Sequence, residues 1–323
     1  MSTRRRFLAA LGLGALAPDV LLSQEEKQRR SRWDMIFSSH EMQQAELRPD
    51  PSSWDNSTIT AAWIGHATIL INFFGTNIIT DPVFSERIGL NILGLMTLGP
   101  KRLVAPALKI DELPPIDLIL LSHAHLDHLD LASLKKFDKT IPIVMAKNTM
   151  DVIDELTWKN AYELDWGEKM TIDEVEIEAL QVKHFGWRYP WESDRSQGDW
   201  NGRSFSAYLI SKNGRTILFG GDTAYQEFFK SVGERKAAID LAMMPIGAYD
   251  PWIFNHCNPE QAVEMANHLG ATFIMPIHWG TFIQSDEPTM EPIERFKKAL
   301  AGTPERLCLE KHGQTWVLPK LDV

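Results

Sequence analysis

From Thr60 onward the chain repeats one pattern, an apolar run followed by a short loop rich in Gly, Asp, His or Pro. "AAWIGHATILINFFGTNIITDPVF" reads as two strands joined by a turn at Gly75-Thr76-Asn77 and closed by Asp81-Pro82. "PPIDLILLS" is apolar without alternation, the pattern of a strand buried on both faces. "DLASLKKF" then takes helical spacing, and "IPIVMA" is the next strand. "VEIEALQV" alternates and stops before His184, while "SFSAYLI" and "TILFGG" flank Lys212-Asn213-Gly214, a hairpin turn. "IDLAMMPIG" and "TFIMPIHWG" are further buried strands. Between them "NPEQAVEMANHLG" predicts a helix with Asn258 as cap, Pro259 in the first turn and Gly270 at its end. "MEPIERFKKALAG" is a closing helix and "QTWVLP" a last strand. Ahead of this rhythm, residues 24–59 read as a polar lead-in, helical from Gln24 to Arg48. Strands crowd the first half and alternate with helices afterwards. The pattern therefore predicts an α/β layered domain with mixed sheets rather than a plain doubly wound sheet.

Composition narrows the function. Of 323 residues 44% are apolar, enough for a large core, and the net charge of −10 argues against a nucleic-acid partner. Cys257 and Cys308 have neither zinc-ribbon nor redox-pair spacing; a single bridge between them stays open. Residues 1–23 are of another kind. Thr3-Arg4-Arg5-Arg6 leads into an apolar stretch from Phe7 to an Ala-Leu-Ala end, too short to span a bilayer as a helix and shaped like a secretory signal. Its Arg-Arg-x-Phe-Leu order resembles the bacterial twin-arginine signal, which exports folded proteins. That places the protein in the periplasm or cell envelope. Residues 88–99, "IGLNILGLMTLG", are apolar and uncharged in a loop position. They read either as a surface for peripheral membrane contact or a homodimer, or as a loop buried over the core.

The densest chemistry follows the strand "DLILL", in "LLSHAHLDHLD". Residues two apart in an extended segment point the same way, so His123 and His125 can grip one ion. Asp127 and His128, where coiling begins, can be aimed at a second ion close by. Two neighbouring cations need a shared anionic ligand, and Asp222 after "TILFGG" is the natural choice. His184 and His278 also stand at the carboxyl ends of apolar strands, where rigid elements present side chains to a common cleft. A solvated His-rich loop would not require polar residues at those further strand ends.

These residues resemble those of the metallo-β-lactamase superfamily, from roughly Thr60 to the C-terminus. The resemblance implies an αββα sandwich, two mixed sheets flanked by helices, making 60–323 a metallo-hydrolase domain. It implies His123, His125 and His184 on one metal, Asp127, His128 and His278 on the other, and Asp222 between them. The metals are expected to be two zinc ions, given imidazole and carboxylate ligands, with other divalent transition metals as alternatives. "WIGHATILI", "TDPVF", "GPKR", "DELPPID", "GDTAY", "PIGAYDP" and "HWGTF" resemble the branch holding N-acyl-phosphatidylethanolamine-hydrolysing phospholipase D. The ascorbate-phosphate lactonase group is a more distant relative. Leu126 departs from the phospholipase pattern, which has an aromatic residue there, and the stretch after His184 matches it poorly.

His66 and Asp81 are expected to orient ligand imidazoles by hydrogen bonding, or else to be a satisfied interior histidine and a capped strand end. His256, in "PWIFNHCNPEQ", matches a histidine that the phospholipase branch places near the substrate, or else is a surface-loop histidine. Asp127, Asp222 and His256 are the catalytic candidates. Trp187, Trp191, Trp200, Trp252 and Trp279 either line an apolar pocket or pack the sandwich rim. The expectation is a dinuclear zinc hydrolase in which a metal-bridging hydroxide attacks a phosphodiester of an N-acylated phospholipid or related small amphiphile. A lactonase or other carbonyl hydrolase is the alternative enzyme. A non-catalytic metal-binding envelope protein is the alternative of another class, although that role needs no complete ligand set for two ions.

Overall fold

The computed structural model describes residues 37–92, 96–236 and 238–320. The export signal expected over 1–23 and the start of the helical lead-in lie outside the described residues. The described part of the lead-in is not the expected helix. Between Phe37 and Asn56 the only helical geometry is a 3-10 turn at Pro51–Ser53. The segment runs extended because its backbone finds partners in the body: Gln43 N–H donates to Leu103 O (2.8 Å), Ala105 N–H to Gln43 O (2.8 Å) and Leu47 N–H to His312 O (3.1 Å). Local helix propensity gives way to tertiary hydrogen bonding.

The first sheet opens with a meander of three strands: β1 (Ile59–Gly65), β2 (Thr68–Phe73) and β3 (Thr76–Thr80). The two strands expected here are thus three. A reversal at His66-Ala67, with Gly65 and His66 at positive φ, joins two apolar runs that read as one strand. The second turn is Phe74-Gly75, both at positive φ, one residue earlier than expected, so Thr76 and Asn77 already pair. Residues 88–99 are not a loop but carry a two-stranded ribbon, β4 (Leu90–Ile92) and β5 (Met96–Leu98). A Cβ on Gly89 would stand 1.9 Å from Leu98 O, so only glycine lets the base of the ribbon close. Leu90 and Met96 are exposed, while Ile88 at the base of the ribbon is buried with Val83 and Phe282.

β6 (Leu118–Leu121) follows, then α1 (Leu131–Leu134) capped by the Asp130 carboxylate, β7 (Ile143–Ala146) and β8 (Ala161–Leu164). The second sheet starts with β9 (Lys169–Ile172), β10 (Val175–Gln181), β11 (Ser206–Lys212) and β12 (Arg215–Phe219). After α2 (Phe228–Arg235) come β13 (Ile239–Pro245), α3 (Pro259–His268) and β14 (Ala271–Ile277). α4 (Glu291–Ala299) and β15 (Thr315–Val317) end the chain's ordered elements. α3 starts as expected: Asn258 and Gln261 close a reciprocal cap and Pro259 fills the first turn.

The orders are β15-β1-β2-β3-β6-β7-β8 and β14-β13-β12-β11-β10-β9. Alternation on β6 shows the layering. Leu118 and Leu120 join the core between the sheets, whereas Ile119 and Leu121 pack outward with Leu129, Leu134 and Phe137. Phe229, Val232, Met265 and Phe296 bring α2, α3 and α4 onto the large core that includes the second sheet. The result is the αββα sandwich. Among the described residues no helix is long and apolar enough to cross a membrane.

Candidate metal centre

Strand direction brings the polar residues together. β3 and β6 are parallel, so Asp81 and His123 leave the first sheet at one edge. β1 runs the same way, since it and β3 are both antiparallel to β2, and it delivers His66 there. In the second sheet β12, β13 and β14 are parallel, and β10 shares their direction because β10 and β12 are both antiparallel to β11. His184, Asp222 and His278 therefore also emerge at one edge. Backbone bonds stitch the two edges: Ser206 N–H donates to Ser122 O (2.9 Å) and His278 N–H to His66 O (3.1 Å).

Two side-chain clusters result. In one, His123 Nε2 is 2.7 Å and His184 Nε2 3.2 Å from His125 Nδ1, with Asp222 in the same group. In the other, His66, Asp127, His128 and His278 offer ligand atoms to one point. Asp222 Oδ2 stands between them, 3.1 Å from His128 Nε2, 3.2 Å from His278 Nε2 and 3.8 Å from His184 Nε2. A third grouping joins Asp222, His256 and His278. All seven residues expected to bind metal are thus brought together, with His66 nearer than expected, 3.0 Å from Asp127 Oδ2.

The far nitrogens of three ligands are held. His128 Nδ1 donates to Asp81 Oδ2 at 2.6 Å, and His184 Nδ1 donates to the Asn255 carbonyl at 2.8 Å. Ser122 Oγ donates to Asp81 Oδ2 (2.6 Å), so it accepts from His123 Nδ1 at 2.8 Å. Each of these bonds fixes the tautomer that turns an Nε2 lone pair inward. Asp81 therefore orients two imidazoles, one directly and one through Ser122. His66, Asp81 and His278 all take positive φ, at 56°, 32° and 60°, backbone strain that collects at functional sites. Gly221 has φ 56°, and a Cβ there would lie 2.7 Å from Ser122 Cβ. Only glycine brings Asp222 this close to the histidine loop.

The electrostatics ask for positive charge. Burial holds His123, His125 and His184 below the ordinary imidazole value, leaving neutral donors. Burial also lowers His128 and His278, yet Asp222 and Asp127 outweigh it. They raise His128 well above its ordinary value and His278 to about 9. Buried His125 Nε2, His128 Nε2, both ring nitrogens of His278 and Asp222 Oδ1 make no hydrogen bond. Orphaned buried atoms around two carboxylates fit a pair of cations.

Above this floor opens a cavity of roughly 580 Å³ lined by Leu126, Phe185, Trp187, Trp252, His256 and Gln284, among others. His256 Nδ1 lies 3.7 Å from Asp222 Oδ2 and has no hydrogen bond; burial lowers its pKa to about 3, so the ring is neutral. Of the five loop tryptophans, Trp187 and Trp252 line the cavity, Trp191 and Trp200 face solvent, and Trp279 stacks on Trp63. Cys257 and Cys308 are both free and buried. Four participants carried no sequence signal. Gln284 Nε2 donates to Asp127 Oδ2 at 2.7 Å, Asn255 acts through its backbone, and Thr281 Oγ1 accepts from His66 N–H at 2.8 Å. Asp194, fully buried, holds the cavity wall by accepting from Gly186 N (2.7 Å) and Trp187 N (3.1 Å). Ser122 alone had a clue, its place next to His123.

The profile of the β-lactamase superfamily domain matches residues 76–279. The N-acyl-phosphatidylethanolamine-hydrolysing phospholipase D 1 of Caenorhabditis elegans is 32% identical over 261 residues, covering 76% of this chain and 70% of its own. Among solved structures, an isothiocyanate hydrolase from Delia radicum gut bacteria aligns with a TM-score of 0.64 at 18% identity, over 81% of this chain and 100% of that one. A diiron β-hydroxylase from Streptomyces venezuelae aligns at 0.59 and 19% identity, over 81% of this chain and 54% of its own. At such identities the two structures share the fold.

Proposed function

The chain belongs to the metallo-β-lactamase superfamily of metal-dependent hydrolases, and on that premise we propose that it hydrolyses a phosphodiester bond in an N-acylated phospholipid or related amphiphile. The observation that carries the reading is the pair of ligand clusters meeting at Asp222 beneath a cavity with aromatic walls. The sequence likeness to a phospholipase D favours the phosphodiester over the lactone. His123, His125 and His184 would hold one zinc ion, and Asp127, His128 and His278 the other, with Asp222 shared. Two divalent ions there supply Lewis acidity toward the scissile oxygen and a nucleophile from water near neutral pH. Leu126, Phe185 and Trp187 keep water from the apolar part of the substrate. His256, a neutral imidazole at the cleft, donates a hydrogen bond to a phosphoryl or leaving-group oxygen.

Purified protein from zinc-supplemented growth should carry two transition-metal ions per chain and cleave phosphodiesters. A panel of diesters, lactones and β-lactams decides the substrate class; turnover of lactones with none of any diester overturns the choice. Elemental analysis decides between zinc and iron, since imidazole and carboxylate ligands suit both and a diiron enzyme shares the fold. We place the reaction in the bacterial envelope on the strength of Arg4 and Arg5. Converting both to Lys keeps the charge and should strand the protein in the cytoplasm; normal export would remove this assignment.

A further inference from the structure

Two cavities meet above the metal centre. The one with the ligands as its floor holds roughly 580 Å³, and a second of roughly 700 Å³ opens beside it. Ile88, Gly89, Leu126 and Arg188 line both. Among the described residues Arg188 is the single Lys or Arg side chain lining the first cavity. It is 7% exposed, and its charge is permanent.

Its neighbours leave that charge without a counter-ion: the Tyr189 ring centroid lies 5.8 Å from Cζ, at the far limit of a cation–π contact. Nη1 donates to Ala124 O (2.7 Å) and Leu129 O (2.9 Å), clamping the histidine loop from its two ends. Nε is buried without a hydrogen bond, and among the described residues no carboxylate pairs with the guanidinium. Glu192, four residues on, accepts from the backbone N–H of Arg188 and gives both oxygens to the Arg203 guanidinium. A clamp on two carbonyls needs one nitrogen and no charge. Burying an unpaired guanidinium costs free energy that a neutral donor would avoid. Arginine at this position makes sense if the counter-charge arrives with a ligand, since its planar fork matches an oxyanion.

We propose that Arg188 is an anion subsite, binding a phosphate or carboxylate group that the substrate carries on an alkyl chain, set off from the reacting bond by Leu126. The apolar chain lies along Phe185, Trp187 and Leu126 in the first cavity. The subsite rests on the hydrolase reading only for where the reacting bond lies.

The test is binding to the metal-loaded full chain, so it needs no turnover. Decyl phosphate, decanoate and decanol are titrated calorimetrically into wild type and Arg188→Gln, with metal content measured in each. The expected result is that both anions, or the one the site selects, lose about tenfold or more in affinity in the variant. Decanol should stay within about twofold. An unchanged ratio of anion to alcohol affinity, at unchanged metal content, overturns the subsite. Should Arg188→Gln lose its metals, Arg188→Lys replaces it: one ammonium can keep the two loop carbonyls but lacks a second nitrogen for the ligand. Its ratio should then fall several-fold; an unchanged ratio, or metal loss in both variants, leaves Arg188 a loop clamp alone. If the subsite holds while no diester is cleaved, it is the hydrolase reading that fails.

Discussion

The floor of the cavity is made of strand ends, and its wall is a segment almost without regular structure. On the floor, strand ends from both sheets aim His66, Asp81, the 123–128 loop, His184, Asp222 and His278 at one place, and neighbouring polar groups fix the imidazoles. The wall, residues 185–205, contains one 3-10 turn, Arg195–Gln197, and owes its order to carboxylates, of which Asp194 is buried. Asp194 accepts from three backbone amides, and Arg203 is held by Glu192 and Asp151. The floor orders side chains that do chemistry; the wall orders backbone, and chemistry is left to whatever faces inward. Floor residues should therefore control metal and turnover, and wall residues substrate affinity and stability.

The strongest attack on that division is Asp222→Ala. It should weaken both metal positions and take turnover below detection, whereas His278→Ala should mainly empty one, as elemental analysis would show. His256→Ala comes next: both metals stay, and turnover falls by about 10²–10⁴-fold. The loss should be smaller on a nitrophenyl diester, whose leaving group asks little of a hydrogen-bond donor. Loss of metal instead would make His256 a ligand or a prop.

Asp81→Asn removes the acceptor that orients His128 and His123, and should cost about 10–100-fold in metal affinity by chelator competition. In the same titration, wild-type affinity should rise with pH. His278 is raised to about 9 and His128 above its ordinary value, so at pH 7 both carry protons that metal must displace. A flat profile between pH 6 and about 9 would contradict that charge assignment.

The wall variants should act elsewhere. Asp194→Ala leaves buried amides unsatisfied, at about 1–3 kcal/mol each. Urea unfolding should register the loss and KM should rise, with metal content as in wild type. The smallest effect belongs to Asp165→Asn. Hydrogen bonds from Arg195 hold the Asp165 carboxyl well below its usual range, so its contribution is present above the ordinary carboxylate pKa and fades as pH falls through the depressed one. The pair is partly exposed, and the contribution should stay under about 1 kcal/mol. A difference between the two proteins that grew on acidification would reverse the sign of this argument.

Legibility in the sequence follows the same line. β6, β13 and β14 are readable as apolar runs, and the residue types after them, in their order, name a chemistry. The reversal at His66-Ala67 is easily passed over, because Gly65 is its one punctuation mark in "WIGHATILI" and the next residue, a histidine, rarely takes the positive φ it has here. α2 is hidden by Gly233, which looks like a loop residue but is needed where a Cβ would meet His268 O at 2.2 Å. Gln284 and Asp194 are legible only in space: an amide on a ligand carboxylate and an aspartate under a loop look like any surface pair until the chain brings their partners. The lead-in misled for the reverse reason, since its local preference is helical while its hydrogen bonds are long-range.

The stitching of the two sheets also has a kinetic consequence. His66 and His278 are 212 residues apart in sequence, yet their rings are 4.0 Å apart, and Asp222 reaches His128 from the first sheet and His184 from the second. No fragment, hairpin or half-sandwich contains a complete pocket for either ion. A chain with so many non-local contacts closes them late, so metal uptake would mark the end of folding. Were the chain exported folded, as proposed from Arg4 and Arg5, ion capture would have to precede departure, and the compartment where the chain folds, rather than the one where it works, would decide which metal it carries.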